Sequence, residues 1–311
     1  MKVKDTFIVE LFDSTLPELK GIGECALFRG LSAEDTPDYE AQLAEACCQP
    51  DSLPPISSIR FGFETAFAQL KAAGGKVFTD NAFTRGEEPI KINGLVWMGS
   101  SRQMKARIRT KLDAGFSCVK LKIGGIDFND ELSLLRMIRK EFSPDDLELR
   151  VDANGAFAPS QALERLKWLS DFYIHSIEQP IRANQWEQMA QLCKTSPIAI
   201  ALDEELIGFR SDADKVALLD AIQPQYIILK PSLCGGFNEA DTWIKLAEDR
   251  HIGWWATSAL ESNIGLNAIA QWVANYHPTI PQGLGTGALY ANNFSSPLTL
   301  IGENLWFTSN N

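Results

Sequence analysis

From about Lys91 onward, short apolar runs alternate with longer amphipathic stretches. The short runs are Ser117–Ile123, Leu147–Asp152, Ile174–Glu178, Ile198–Asp203, Tyr226–Lys230 and Ile252–Ser258. Their length and their Val, Ile and Leu content predict strands. Between them lie helical patterns over Asn129–Glu141, Ser160–Ser170, Gln185–Thr195, Ser211–Ala221, Asn238–Asp249 and Ile264–Tyr276. An earlier unit reads as a strand over Ile90–Trp97 and a helix over Ser101–Ala114, and a last short strand is expected over Gln282–Gly285. Alternation of this kind, with mostly continuous apolar strands, predicts a parallel sheet covered by helices. About eight strands with seven helices predict an α/β fold, a TIM-like (β/α)7β barrel over residues 89–285. The competing architecture is an open doubly wound sheet. Against it, Gly94 and Gly99 lack the G-x-G-x-x-G spacing that opens such a sheet.

Residues 1–88 follow another pattern. Phe7–Leu11 and Gly21–Phe28 read as strands joined by a turn, and Pro37–Cys47 and Ile59–Ala73 as helices. This is an α+β unit, expected to cap the barrel and to pack with the C-terminal tail, residues 286–311. The polar link Arg85-Gly86-Glu87-Glu88-Pro89 marks the boundary.

The 311 residues are 45% hydrophobic, enough for a sizeable core. A net charge of −11 repels phosphate backbones and anionic lipid, so no nucleic-acid or membrane partner is expected. The charged start Lys2-Val3-Lys4-Asp5 is not a signal peptide, and no run approaches ~18 apolar residues. The six cysteines form no C-x-x-C pair and read as incidental thiols of a reducing, cytoplasmic compartment. The partner expected is a small-molecule carboxylate substrate, and a homo-oligomer is left open.

Charged residues recur where the apolar runs end. Lys120 and Lys122 close one strand, Asp152 the next, then Glu178, Asp203 and Lys230. From Lys122 the steps are 30, 26, 25 and 27 residues, each about one strand–helix unit. Each side chain is therefore expected at the C-terminal mouth of the barrel, where barrel active sites lie. Asp152, Glu178 and Asp203 would converge, and three crowded carboxylates repel unless a cation lies between them. Oxygen ligands without His or Cys favour Mg²⁺, with Mn²⁺ as a substitute. Lys122 and Lys230 lie on strands flanking the trio. A nearby cation and a second lysine are expected to depress a lysine pKa toward neutrality, as a general base requires.

These segments resemble a known family. Lys120-Leu121-Lys122, Asp152-Ala153-Asn154, Ile177-Glu178-Gln179-Pro180, Leu202-Asp203-Glu204 and Leu229-Lys230-Pro231 are similar to motifs of the muconate-lactonizing subgroup of the enolase superfamily. The likeness covers about residues 117–285, and the smaller unit resembles that superfamily's capping domain. It implies metal ligation by Asp152, Glu178 and Asp203, with Lys122 as acid/base and Lys230 opposite. It implies that Lys120 tunes Lys122 and that Asn154 and Glu204 support the ligands. The mandelate-racemase subgroup instead uses a His–Asp pair. Here His175 and His251 fall near strand starts and His277 follows a helix, so none suits that role.

Within the subgroup, Thr257–Gly265, Gly283–Gly287 and Gly23-Glu24-Cys25 resemble the branch that dehydrates a cyclohexadiene carboxylate to an aromatic acid in menaquinone synthesis. That makes the expected activity a carbon–oxygen lyase reaction. Ser258, Ser262 and Asn263, at a helix start, are expected to bind the distal carboxylate, although the same residues suit a turn and helix cap equally well. The alternatives are an N-acylamino-acid racemase or a dipeptide epimerase, and more remotely a non-catalytic barrel. A dipeptide epimerase would carry Asp-x-Asp where this chain has Gly283-Leu284-Gly285. The resemblance also implies an opening strand and a mobile lid loop. This chain begins at what reads as the second strand, so strand and lid are expected to be missing. A chain extended upstream by about 20–30 residues is expected to be markedly more active, because a lid excludes water.

Overall fold

The computed structural model describes residues 3–287 and 289–308. In chain order its elements are β1 (Phe7–Asp13), β2 (Leu16–Cys25), α1 (Tyr39–Cys48), α2 (Ser57–Lys71), β3 (Ile90–Lys91), β4 (Gly94–Val96) and α3 (Ser101–Asp113). Then come β5 (Cys118–Lys122), α4 (Phe128–Glu141), β6 (Glu148–Asp152), α5 (Pro159–Ser170), β7 (Ile174–Glu178), α6 (Trp186–Thr195) and β8 (Ala199–Leu202). The chain continues through α7 (Asp212–Ile222), β9 (Tyr226–Leu229), α8 (Pro231–Cys234), α9 (Phe237–Glu248), β10 (Gly253–Ala256) and α10 (Asn263–Ala274). It ends in the hairpin β11 (Leu298–Ile301) and β12 (Asn304–Phe307).

Strands β4 to β10 form one seven-stranded parallel sheet in sequential order. The curled sheet is joined edge to edge by two residues. Gln282 bridges Ile92 at the β4 side, and Gly283 bridges Thr257 at the β10 side. The expected strand over Gln282–Gly285 is thus reduced to a two-residue clasp. The expected strand over Ile90–Trp97 is split. Its first half, β3, pairs antiparallel with β12, and only the second half joins the barrel. Ile90 has Leu305 of β12 as its partner, and the parallel ladder begins at Gly94. The four-residue helix α8 had no periodic signal of its own. Its start is set by Pro231, whose fixed φ suits the first helical turn.

Period-two alternation decides which side chains face the site. In β5, Val119 and Leu121 join the core beneath the helices, so Lys120 and Lys122 face inward. In β6, Leu149 and Val151 take the core positions and Arg150 and Asp152 the interior. The register then sets Lys122, Asp152 and Glu178 side by side on three neighbouring strands.

The N-terminal unit has a second core of Val9, Leu27, Tyr39, Leu43, Ile59, Phe63 and their neighbours. Its helix α2 lies directly on β2, and glycines permit the approach. A Cβ on Gly23 would lie 1.8 Å from the Gly62 carbonyl oxygen. This unit meets the barrel through the tilted ring pair Phe61 and Phe237, centroids 5.0 Å apart, and through Glu24, which is fully buried. The Glu24 carboxylate accepts bonds from Thr6 Oγ1, Ser262 Oγ and the backbone N–H groups of Ser262 and Gly265. The C-terminal hairpin touches residues 1–88 through Phe83 and Phe307, and Glu303 accepts two bonds from Ser117 at the base of β5. Among the described residues no helix is long and apolar enough to cross a membrane.

Candidate metal centre and active site

Asp152 ends β6, Glu178 ends β7 and Asp203 follows β8. One carboxylate oxygen from each lies within 4.8 Å of the others, and all three residues are buried. Burial pushes the Glu178 carboxyl up to about 8; Lys120 opposes the rise, and the charges of Asp152 and Asp203 add to it. Asp152 moves the other way. Burial resists its ionisation, but Lys122 and Lys120 hold it well below the usual carboxylate range. Glu178 Oε1 is buried without a hydrogen-bond partner, next to two further carboxylates. An orphaned acceptor in an all-oxygen trio fits a hard divalent cation.

The lysines lie where the sequence placed them. Lys122 Nζ is 2.5 Å from Asp152 Oδ2 and 2.6 Å from Asn154 Oδ1. Lys230 Nζ is 2.5 Å from Asp203 Oδ2. Lys120, one layer deeper, donates to Glu178 Oε2 at 2.7 Å and lies 3.6 Å from Asp152. Lys230, expected opposite the acid/base Lys122, is shifted upward by the protein groups around it. Burial lowers it, but Asp203 and Glu204 outweigh burial and hold it above its ordinary range.

Asn154 and Glu204 connect these groups. Asn154, in the left-handed region at φ 44°, donates its backbone N–H to Asp152 Oδ1 and its amide to Glu204 Oε1. Its oxygen accepts from Lys122, so one residue ties the lysine, a carboxylate of the trio and Glu204 together. The Glu204 carboxyl is raised to about 7 by burial and by Asp203.

Gln179 is a supporting residue that sequence reasoning did not single out. Its Oε1 accepts the backbone N–H of Asp203 and of Glu205, which fixes the loop carrying the third carboxylate. The motif Ile177–Pro180 contained it, but nothing local revealed a partner 24 residues away.

A cavity of about 120 Å³ opens above these groups. Lys122, Asp152, Asn154, Glu204 and Lys230 line its polar side; Leu95, Trp97, Ala259 and Leu260 supply a largely apolar wall, with Phe28 and Leu31 from the N-terminal segment. Of the three expected substrate-binding residues, only Ser258 lines it. Ser258 Oγ donates to buried Glu261 and accepts from Thr286 and the Leu260 N–H. Ser262 caps α10 and gives its hydroxyl proton to Glu24. Asn263 is bonded to Asn293 and Phe294 of the tail. Both are bonded to segments distant in the chain, Ser262 as the N-cap of α10 and Asn263 as its first residue. His175 bonds Ser176 and packs at a tilt against Tyr226 near the strand starts, away from the trio.

The family model described as enolase C-terminal domain-like matches residues 103–298. A curated o-succinylbenzoate synthase of Desulfotalea psychrophila is 58% identical over 245 residues, which are 79% of this chain and 66% of that protein's length. The crystal structure of MenC from Desulfotalea psychrophila superposes with a TM-score of 0.83 at 46% identity, covering 97% of this chain and 94% of the other. The muconate lactonizing enzyme from Pseudomonas putida shares the fold, with a TM-score of 0.78 at 22% identity over 97% of this chain and 89% of its own.

Proposed function

The chain belongs to the enolase C-terminal domain-like family, and on that premise we propose that it catalyses the o-succinylbenzoate synthase reaction. This is the syn dehydration of 2-succinyl-6-hydroxy-2,4-cyclohexadiene-1-carboxylate to 2-succinylbenzoate, a step of menaquinone synthesis. The observation that carries the reading is the pair of ammonium groups bracketing a buried carboxylate trio, Lys122 at Asp152 and Lys230 at Asp203. The 58% identity to a curated o-succinylbenzoate synthase supports it.

Asp152, Glu178 and Asp203 would hold Mg²⁺, or Mn²⁺ in its place, and the ion would supply positive charge toward the substrate carboxylate. Lys122, as a neutral amine, takes the proton from the carbon bearing the carboxylate. As an ammonium it then returns that proton to the hydroxyl leaving from the same face. One C–H and one C–O bond break, a ring double bond forms, water departs and Lys122 ends neutral. Lys230 stays cationic on the other face, which suits its raised pKa, and offsets the negative charge that develops. Lys120 and Asn154 hold the trio and Lys122 in register. In this reading residues 1–88 cap a barrel of residues 89–285, with Phe28 and Leu31 excluding water from the reacting face.

Opposed lysines also suit N-acylamino-acid racemisation. A dipeptide epimerase is disfavoured because Gly283-Leu284-Gly285 offers no carboxylate for a substrate amine. The test is purified protein with Mg²⁺ and the cyclohexadiene substrate, followed for loss of diene absorbance, beside a chiral assay with N-succinyl amino acids. Metal-dependent aromatisation supports the proposal. Racemisation without aromatisation replaces it.

A further inference from the structure

Two polar side chains in the cavity wall have no role in the chemistry described above. Asn93 precedes β4 and Thr257 follows β10, so they flank the clasp at residues 282–283 from either side. The Asn93 N–H donates to the Gln282 carbonyl at 2.9 Å, and Thr257 is bridged to Gly283. In the strand order, this clasp lies across the barrel from β7, which carries Glu178. Both side chains line the cavity, only 3% and 8% exposed.

Asn93 Oδ1 and Thr257 Oγ1 are buried with no hydrogen-bond partner. Three polar neighbours differ in this respect. Ser258 Oγ has three bonds, Thr286 gives its proton to Ser258, and Asn154 is bonded through both ends of its amide. Buried hydroxyl and amide groups are costly to leave unpaired, so an unpaired pair facing one cavity points to a group that enters it. The backbone between them is bare. A Cβ on Gly283 would lie 2.3 Å from Thr257 Oγ1, so only glycine leaves the threonine where it is.

We propose that Asn93 and Thr257 form a neutral polar subsite. It takes an oxygen of the substituent that the substrate carries away from the carboxylate trio. The Thr257 hydroxyl donates to a carbonyl or carboxylate oxygen there. The Asn93 amide presents its NH2 by a half-turn about its terminal torsion. The subsite selects acyl-bearing carboxylates over plain ring acids, because the side chains of Leu95, Ala259 and Leu260 in that wall have nothing to hydrogen-bond with. This inference rests on the reading that the cavity is the active site.

Its test separates the two ideas by measuring binding as well as turnover. Thr257→Val keeps the shape and removes only the hydroxyl; Asn93→Leu does the same for the amide. With Mg²⁺ present, affinity for 2-succinylbenzoate is measured by calorimetry, and benzoate by displacement. Each variant is expected to bind 2-succinylbenzoate about tenfold or more weakly and benzoate as the parent does. KM for the diene should rise by a similar factor, with kcat changed less than threefold. Unchanged affinity for 2-succinylbenzoate in Thr257→Val overturns the subsite, even if the parent dehydrates the diene. Equal losses for both ligands overturn it too, since they mark a general distortion. If the parent does not dehydrate the diene, the functional reading fails, and the binding comparison still decides the subsite.

Discussion

Lys122 and Lys230 face the same acidic cluster from opposite flanks, each ammonium 2.5 Å from a different carboxylate, Asp152 for the first and Asp203 for the second. They stand on β5 and just beyond β9, with the three carboxylate-bearing strands between them. A planar substrate lying over the trio would meet one amine on each face. Only the amine on the face that loses both hydrogen and hydroxyl can do acid–base work.

Lys122→Ala is expected to lower kcat by about a thousandfold or more, the scale of a lost general base that also serves as acid. Lys230→Ala should cost about a hundredfold, the scale of one electrostatic contact in a water-poor site. Both should bind Mg²⁺ at least as tightly as the parent, because neither lysine is a ligand and each removal leaves a carboxylate seeking a cation. Single-turnover kinetics and calorimetry check the two halves. Weakened Mg²⁺ binding in Lys122→Ala would contradict the placement of the ion.

Metal binding should depend on pH through Glu178. Its carboxyl, ordinarily near 4.5, is raised to about 8 by burial among Asp152 and Asp203, so near neutral pH the trio keeps a proton that a divalent ion must displace. Mg²⁺ affinity is expected to rise by up to tenfold per pH unit between about 6 and 8 and to level off above. The stability of the metal-free fold runs the other way with pH. A carboxyl whose folded pKa lies above its unfolded value destabilises the metal-free fold as pH climbs from 4.5 through about 8. The rise in Tm on adding Mg²⁺ should therefore grow over that window. Calorimetry in buffers of different ionisation enthalpy would count the released proton.

Glu24 should matter far more than a surface carboxylate. It holds Thr6, Ser262 and Gly265 from a fully buried position, so Glu24→Ala leaves several buried donors unpaired. A loss of roughly 2–4 kcal/mol is expected in denaturant unfolding. Ser262→Ala removes the α10 cap and one bond to Glu24, for about 1–2 kcal/mol. Its KM should stay near the parent value, because Ser262 does not line the cavity. A large rise in KM at unchanged Tm would return Ser262 to the substrate.

Gly23→Ala tests the seating of α2 on β2. The added methyl would sit 1.8 Å from the Gly62 carbonyl oxygen, and neither backbone has room to yield. The cost is expected to be about 3 kcal/mol or more, or failure of the cap to fold. Limited proteolysis should then cut first within residues 1–88, while the barrel resists.

Much of the barrel was legible in the chain, since two local rules act together. Strand length and apolar content marked β5 to β10. Period-two alternation then made Lys122, Asp152 and Glu178 inward neighbours once the strands paired in order. Both rules work within one strand–helix unit and need no knowledge of distant partners. They were weakest where one run serves two sheets, as at Ile90–Trp97, and where pairing shrinks to Gln282 and Gly283.

By itself the sequence determined the alternation of elements, the inward face of each strand and the chemical kind of the site, because those follow from residue type at fixed short spacing. Tertiary structure alone decided which polar groups were already spoken for. Ser262 belongs to Glu24, 238 residues away, and Asn263 to Phe294 of the tail, whereas Asn93 and Thr257 face the cavity unbonded. A hydrogen bond saturates its donor, and no local pattern records that the partner sits at the far end of the chain.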